Sequence, residues 1–136
     1  MRASIVAAGA VAAVILLTGC EQLQISPILD RTATIRHGST ERIVVTGTIS
    51  CTRSEPVDLF AQFTQRSTSY QPGRVTIPCE PGAPQPYRVS FAVSKGFLTG
   101  EAQASIQYCT NPSVELNEDC VTISRVLTLV APTPPS

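Results

Sequence analysis

From residue 31 onward, apolar and polar residues alternate along the chain with a period of two. This period is typical of β-strands that bury one face, because successive side chains of a strand point to opposite sides. The clearest example is residues 87–93, where two aromatic residues and two valines share one face. Glycine and proline residues interrupt the alternation every 8–12 residues or so, and no helical periodicity of ordinary length competes with it.

Seven segments carry the alternation, and they predict an all-β domain. The predicted strands span residues 32–36, 42–51, 57–65, 74–79, 87–93, 101–109 and 121–130. About seven short strands in roughly 100 residues indicate an immunoglobulin-like antiparallel β-sandwich, with a small open β-barrel as the alternative. Val44 and Phe60 are apolar residues at outward positions and are candidates for an exposed apolar patch. Arg125 falls on the apolar face of the last segment, which predicts a bulge or a rim position.

The first nineteen residues follow a different pattern, with Arg2 preceding a short apolar run from Ala3 to Leu17. A positive start, a short apolar run and small residues after it are typical of an export signal. The run is shorter than the roughly 20 apolar residues of a membrane-spanning helix. We therefore predict four segments along the chain. These are a signal peptide at 1–19, a tether at 20–31, the sandwich domain at 32–130 and a disordered proline-rich tail at 131–136.

Leu17-Thr18-Gly19-Cys20 closes the apolar run and resembles the lipobox of bacterial lipoprotein signals. The resemblance implies that Cys20 is the first mature residue and carries a diacylglyceryl thioether. Two acyl chains of palmitate type are enough for stable attachment, whereas one chain holds only marginally. The expected location is the extracytoplasmic face of the cell membrane. An uncleaved anchor helix and a secreted protein are the alternatives.

The four remaining cysteines predict two disulfides, for which three connectivities exist. Cys51 and Cys79 are in phase with the apolar residues of their strands, whereas Cys109 and Cys120 are out of phase. Because bonded cysteines face each other with Cβ atoms about 4 Å apart, pairs on the same face are favoured: Cys51–Cys79 and Cys109–Cys120. The rival Cys51–Cys109 would copy the bridge of antibody domains, but the chain contains no tryptophan to accompany it. The spacings lack a C-x-x-C pair, so no metal site is predicted.

A second resemblance rests on short motifs within the predicted domain. Gly47-Thr48-Ile49-Ser50-Cys51, Gln65, Cys79 and the segment from Phe97 to Ala102 are similar to small exported actinobacterial domains of unknown function. The similarity covers roughly residues 32–130, and the Cys109–Cys120 pair is an addition to the shared pattern. It implies the fold and export, and no activity.

Charge and candidate chemistry argue against several function classes. Without residues 1–19 the chain keeps 117 residues, with about one more acidic than basic side chain and no Lys/Arg cluster, so a nucleic-acid partner is not expected. His37 is the only histidine and lies in a predicted turn. As a general base it would need a nucleophile and an orienting acid, and Ser39 and Glu41 are close to it only in sequence. We therefore predict neither catalytic residues nor a cofactor.

The segment between Cys109 and Cys120 contains Glu115, Glu118 and Asp119. A loop closed by a disulfide is a candidate contact surface, and weak Ca²⁺ binding is a further possibility for its carboxylates. The expected function is a non-enzymatic, lipid-anchored β-sandwich that presents loops to an envelope or extracellular partner. The alternative is a carrier that holds a small apolar ligand in a cleft, and a hydrolase with an unrecognised site is the third class.

Overall fold

The computed structural model describes residues 25–110 and 120–133, and these residues form nine β-strands and no helix. The all-β prediction is therefore confirmed. The strands are β1 (Ile25–Leu29), β2 (Thr32–Arg36), β3 (Glu41–Cys51), β4 (Glu55–Gln65), β5 (Thr68–Tyr70), β6 (Val75–Cys79), β7 (Gln85–Val93), β8 (Gly100–Thr110) and β9 (Cys120–Val130).

The nine strands belong to one continuous hydrogen-bonded sheet that folds into two layers around the core. This arrangement is consistent with an immunoglobulin-like β-sandwich and with a small open β-barrel, the two predicted architectures. In the first layer β3 pairs with β7 on one side and with β1 and β2 on the other. In the second layer β4 lies between β8 and the short strands β5 and β6, and β9 pairs with β8. Strand β2 also pairs in parallel with β9, so it joins the two layers along one edge.

The core lies between the two layers and is built from the inward residues of the alternating segments. Phe63 of β4 and Phe91 of β7 meet edge to face across it, with ring centroids 5.7 Å apart. The inward side chains of β3, β4, β7 and β8 are nearly all buried, as the alternation predicts. Contacts of this type between aromatic rings stabilise a protein by about 0.5–1.5 kcal/mol beyond the stabilisation from burying the area of the rings.

Strand β1 was not expected, because residues 20–31 were predicted to be a tether. Ile25 and Leu29 are instead buried in the core, and β1 pairs with the end of β3. Pro27 is tolerated because β1 lies at a sheet edge, where a missing N–H costs little. The sandwich therefore begins at Ile25 rather than at residue 32. The predicted signal peptide and Cys20 lie outside the described residues.

Arg125 occupies a rim position, and the bulge that was the other possibility does not occur. The pairing of β9 with β8 runs without interruption from Cys120 to Leu129. The Arg125 guanidinium donates a hydrogen bond to the carbonyl of Leu29, so it links β9 to β1 across the joined edge. A charged residue is accommodated on the apolar face here because Arg125 is partly exposed and its guanidinium reaches a backbone acceptor at the edge.

Two other expectations have mixed outcomes. Phe60 is partly exposed on the outer face of the second layer, whereas Val44, on the outer face of the first, is buried, so the two do not form an exposed apolar patch. Residues 131–133 of the predicted tail form no strand and are exposed, whereas residues 134–136 lie outside the described residues.

The strand directions place most of the loops at two poles. The N-proximal pole contains Ile25, loops 52–54 and 80–84, and the facing ends of β8 and β9. The opposite pole contains loops 37–40, 66–67 and 94–99.

Candidate functional site

Both disulfides form, with the pairing that the alternation favoured. Cys51–Cys79 joins β3 of the first layer to β6 of the second at a Cα–Cα distance of 6.2 Å. Cys109 and Cys120 are directly opposed on β8 and β9, 4.1 Å apart between Cα atoms. Disulfides of this kind persist in oxidising compartments, so the domain is adapted to an extracytoplasmic environment.

Cys109 faces away from the core, as expected, but it is buried rather than exposed. On the outer face its neighbours are Cys120 on one side and Asp58 of β4 on the other. Asp58 is itself buried. It accepts a hydrogen bond from the Thr76 hydroxyl at 2.6 Å and lies 3.7 Å from the Arg74 guanidinium. Asp58, Thr76 and Arg74 thus form a polar cluster beside Cys109, which extends the packed region beyond the core at the N-proximal pole.

His37 is exposed at the opposite pole, where its Nδ1 atom forms a hydrogen bond with the carboxylate of Glu41. Glu41 begins β3 and is buried, so the imidazole is a partner for a carboxylate that has lost most of its water. Within residues 25–110, no hydrogen bond joins Ser39 to this pair. The structure thus brings together two of the three residues that a simple triad would require, and the contact has a direct structural explanation.

Gly47 has no side chain, and this allows the backbone of β1 to lie close to β3. A Cβ atom at this position would lie 1.9 Å from the carbonyl oxygen of Ile28 and 2.7 Å from the hydroxyl of Tyr87. The Tyr87 hydroxyl donates to that same carbonyl at 3.2 Å and is hydrogen-bonded to the Tyr108 hydroxyl at 2.5 Å. The glycine of the shared sequence motif is therefore required by backbone packing, since no side chain fits.

Gln65 holds the loop that contains the shared Phe97–Gly100 turn. Its Oε1 accepts from the Leu98 N–H at 2.8 Å, and its Nε2 donates to the carbonyls of Leu98 and Glu101 at 2.8 and 3.2 Å. Phe97 is buried in the core, whereas the adjacent Leu98 is 56% exposed. Gln65 thus fixes Leu98 in an exposed position at the opposite pole.

A depression of about 150 Å³ lies beside this loop, lined in part by Arg66, Leu98 and Glu101. Arg66 has a φ of 56°, a left-handed conformation that usually requires glycine. It forms the two-residue turn between β4 and β5.

A larger depression of about 250 Å³ lies on the outer face of β4 and β8 and is lined mainly by glutamine, serine and threonine. The sequence patterns did not single out these glutamine, serine and threonine residues. Alternation gives the face on which a residue lies but not the neighbour opposite it, so the grouping depends on the strand register.

The other candidate sites and functions have less support from the described residues. Among the described residues, no three His, Cys, Asp or Glu side chains are grouped so that they could hold a metal ion. Glu115, Glu118 and Asp119 lie outside those residues. The described part of the chain has no helix long and apolar enough to cross a bilayer. The depressions described are lined mainly by polar side chains and give no support to an apolar-ligand carrier, which stays a prediction.

No protein-family model matches the chain, and no curated protein matches it in sequence.

Proposed function

We propose that the protein is a non-enzymatic, lipid-anchored β-sandwich of the cell envelope that presents the loops of its opposite pole to a partner. The observation that carries the proposal is the early start of the domain, because β1 begins at Ile25, five residues after Cys20. An extended chain spans at most about 3.6 Å per residue, so Ile25 lies within roughly 18 Å of a lipidated Cys20.

This short connection gives the domain an orientation. With Cys20 in the bilayer, the N-proximal pole faces the membrane and the opposite pole points away from it. The loop between Cys109 and Cys120, our first candidate for a contact surface, begins and ends at the N-proximal pole. The loops at 37–40, 66–67 and 94–99 are the ones that a partner reaches most easily.

The opposite pole also has the features of a recognition surface. Gln65 holds the 97–101 turn through three hydrogen bonds, so Leu98 is presented in a fixed position. A preorganised apolar side chain loses little conformational entropy when it binds. Arg66 beside it keeps a backbone conformation that costs about 1–2 kcal/mol, and such strain is concentrated at functional positions.

The anchor is tested by replacing Cys20 with serine in the full chain and fractionating the cells. The unchanged protein should be recovered with the membranes and released only by detergent. Cys20→Ser should not receive acyl chains and should lose its detergent-dependent recovery. A conservative change outside the lipobox, Ser26→Ala, is the matched control and should behave like the unchanged protein. Equal fractionation of all three proteins would remove the anchor from the proposal.

The orientation is tested by placing a photo-crosslinking amino acid at one exposed residue of each pole in intact cells. Leu98 represents the opposite pole and Ser54 the N-proximal pole. Crosslinks from position 98 should give protein adducts, and those from position 54 should give lipid adducts. Protein adducts from position 54 alone would contradict the orientation.

A further inference from the structure

The outer face of the second layer has an uncharged centre. Three cross-strand rows run over β4, β8 and β9, and none of their nine residues is charged. The rows are Phe60–Gln107–Thr122, Gln62–Ser105–Ser124 and Thr64–Gln103–Val126. Seven of these side chains are amides or hydroxyls, so the surface is polar and neutral at every pH at which the protein folds.

The outer face of the first layer is different. Arg36 and Arg42 are paired there on β2 and β3, and Arg88 follows on β7. Exposed sheet surfaces usually carry interspersed charges, which keep them soluble and discourage association. The neutral surface of the second layer is therefore a local property and not a consequence of the composition of the whole chain.

The depression of about 250 Å³ lies in this neutral surface and offers unused hydrogen-bonding groups. Phe60 forms part of its wall, and Gln62, Gln71 and Gln107 contribute amides. Within the described part of the chain, the side chains of Gln71 and Gln107 form no hydrogen bond. Each amide provides two N–H donors and one acceptor oxygen.

We propose that this depression binds a neutral carbohydrate. Adjacent hydroxyl groups of a sugar both donate and accept, and an amide can satisfy such a pair without a charge. The partly exposed ring of Phe60 provides a surface against which the C–H face of a sugar ring can pack. An anionic ligand would need a cation in the depression, and a protein partner would need the aromatic and arginine anchors of a binding hot spot. The described lining of the depression contains no lysine or arginine and one aromatic ring, that of Phe60.

The carbohydrate site lies on the side of the sandwich and not among the loops of the opposite pole. It does not require the lipid anchor, so it can fail while the proposed function stands, and the reverse also holds.

The test is a titration of the full-length protein, extracted in a detergent without a sugar headgroup, with oligosaccharides. The probes are soluble neutral oligomers of glucose, mannose, galactose and arabinose, with a uronic-acid oligomer as the charged comparison. At least one neutral oligomer should bind, and more tightly than the charged one. The absence of binding by every neutral oligomer, or tighter binding of the charged one, would overturn the proposal.

Matched variants locate the site. Gln107→Ala removes an amide of the depression, and Gln103→Ala removes an amide from the same strand and the same face, two rows away. Phe60→Leu keeps apolar volume but removes the ring. We expect Gln107→Ala and Phe60→Leu to weaken binding roughly 3- to 10-fold each, as the loss of one hydrogen bond or ring contact would. Gln103→Ala should leave the affinity unchanged. Equal losses for Gln103→Ala and Gln107→Ala would contradict this location.

Discussion

Replacing Gly47 with alanine should separate β1 from β3. The new Cβ atom would lie 1.9 Å from the Ile28 carbonyl oxygen, and ordinary van der Waals contact begins at 3.4 Å. The backbone of β1 would therefore have to withdraw by about 1.5 Å. Backbone cannot rotate away as a flexible side chain can, so the strand itself must move. The hydrogen bond from Tyr87 to Ile28 would be disturbed with it.

The expected loss of stability follows from what β1 contributes. Ile25 and Leu29 are its two buried residues, and full burial of such a side chain stabilises a protein by about 1.5–3 kcal/mol. If β1 detached completely, the burial of both side chains would be lost, and their combined contribution, about 3–6 kcal/mol, is the upper limit of the loss. We expect Gly47→Ala to lower the free energy of unfolding by about 2–4 kcal/mol, out of the about 5–15 kcal/mol that is typical of a domain.

Urea unfolding, followed by circular dichroism, measures this loss. Gly73→Ala is the matched control, because a Cβ atom there has no neighbour within 4 Å and the residue does not have a left-handed φ. That variant should be neutral or slightly stabilised, since alanine restricts the unfolded chain. If Gly47→Ala unfolded at the same urea concentration as Gly73→Ala, the packing of β1 on β3 described above would be wrong.

Three further substitutions test other parts of the structure. Gln65→Ala removes three hydrogen bonds from the 97–101 turn and should lower the free energy of unfolding in urea by about 2–3 kcal/mol. It should also increase the rate of amide hydrogen exchange at Leu98, and an unchanged rate would refute the role of Gln65. Arg66→Gly relieves a left-handed φ and should raise stability by about 0.5–1 kcal/mol, and a loss would show that the arginine side chain stabilises the turn. Burial raises the pKa of Tyr87 and of Tyr108 above the unfolded value of 10.0. Their contribution to stability is therefore fully present below pH 10 and is lost as the pH rises beyond it. In unfolding experiments across that range, Tyr108→Phe should flatten the alkaline decline, and an unchanged decline would exclude this tyrosine as its cause.

Much of the fold could be predicted because alternation reports burial directly. Tyr87 to Val93 and Ala102 to Tyr108 alternate cleanly, and both segments became strands with the predicted inward faces. The disulfide pairing followed from the same logic, because the phase of each cysteine restricts the partners it can face.

Strand β1 could not be predicted in this way. Its five residues place apolar side chains at positions 25, 28 and 29, which is not a period of two, and Pro27 argues against a strand. It forms because Gly47 leaves room for its backbone and the core accepts Ile25 and Leu29. Both causes are tertiary, so local sequence carries no signal for them.

The grouping of residues around the neutral depression also depends on tertiary structure, namely on the register between paired strands. Gln62 and Gln107 are 45 positions apart in the chain, and only the pairing of β4 with β8 brings them to one place. Alternation puts each of them on an outer face. A sequence search for outward amides on several strands would have found these residues as candidates, without their arrangement.

The intact mass of the protein from the membrane fraction, measured before and after reduction, shows whether the domain is both lipid-anchored and held by two disulfides. We expect a chain that begins at Cys20 and carries acyl mass. We also expect all four remaining cysteines to become accessible to a thiol reagent only after reduction. An unmodified chain recovered from the medium, or free thiols before reduction, would contradict an anchored domain with two disulfides.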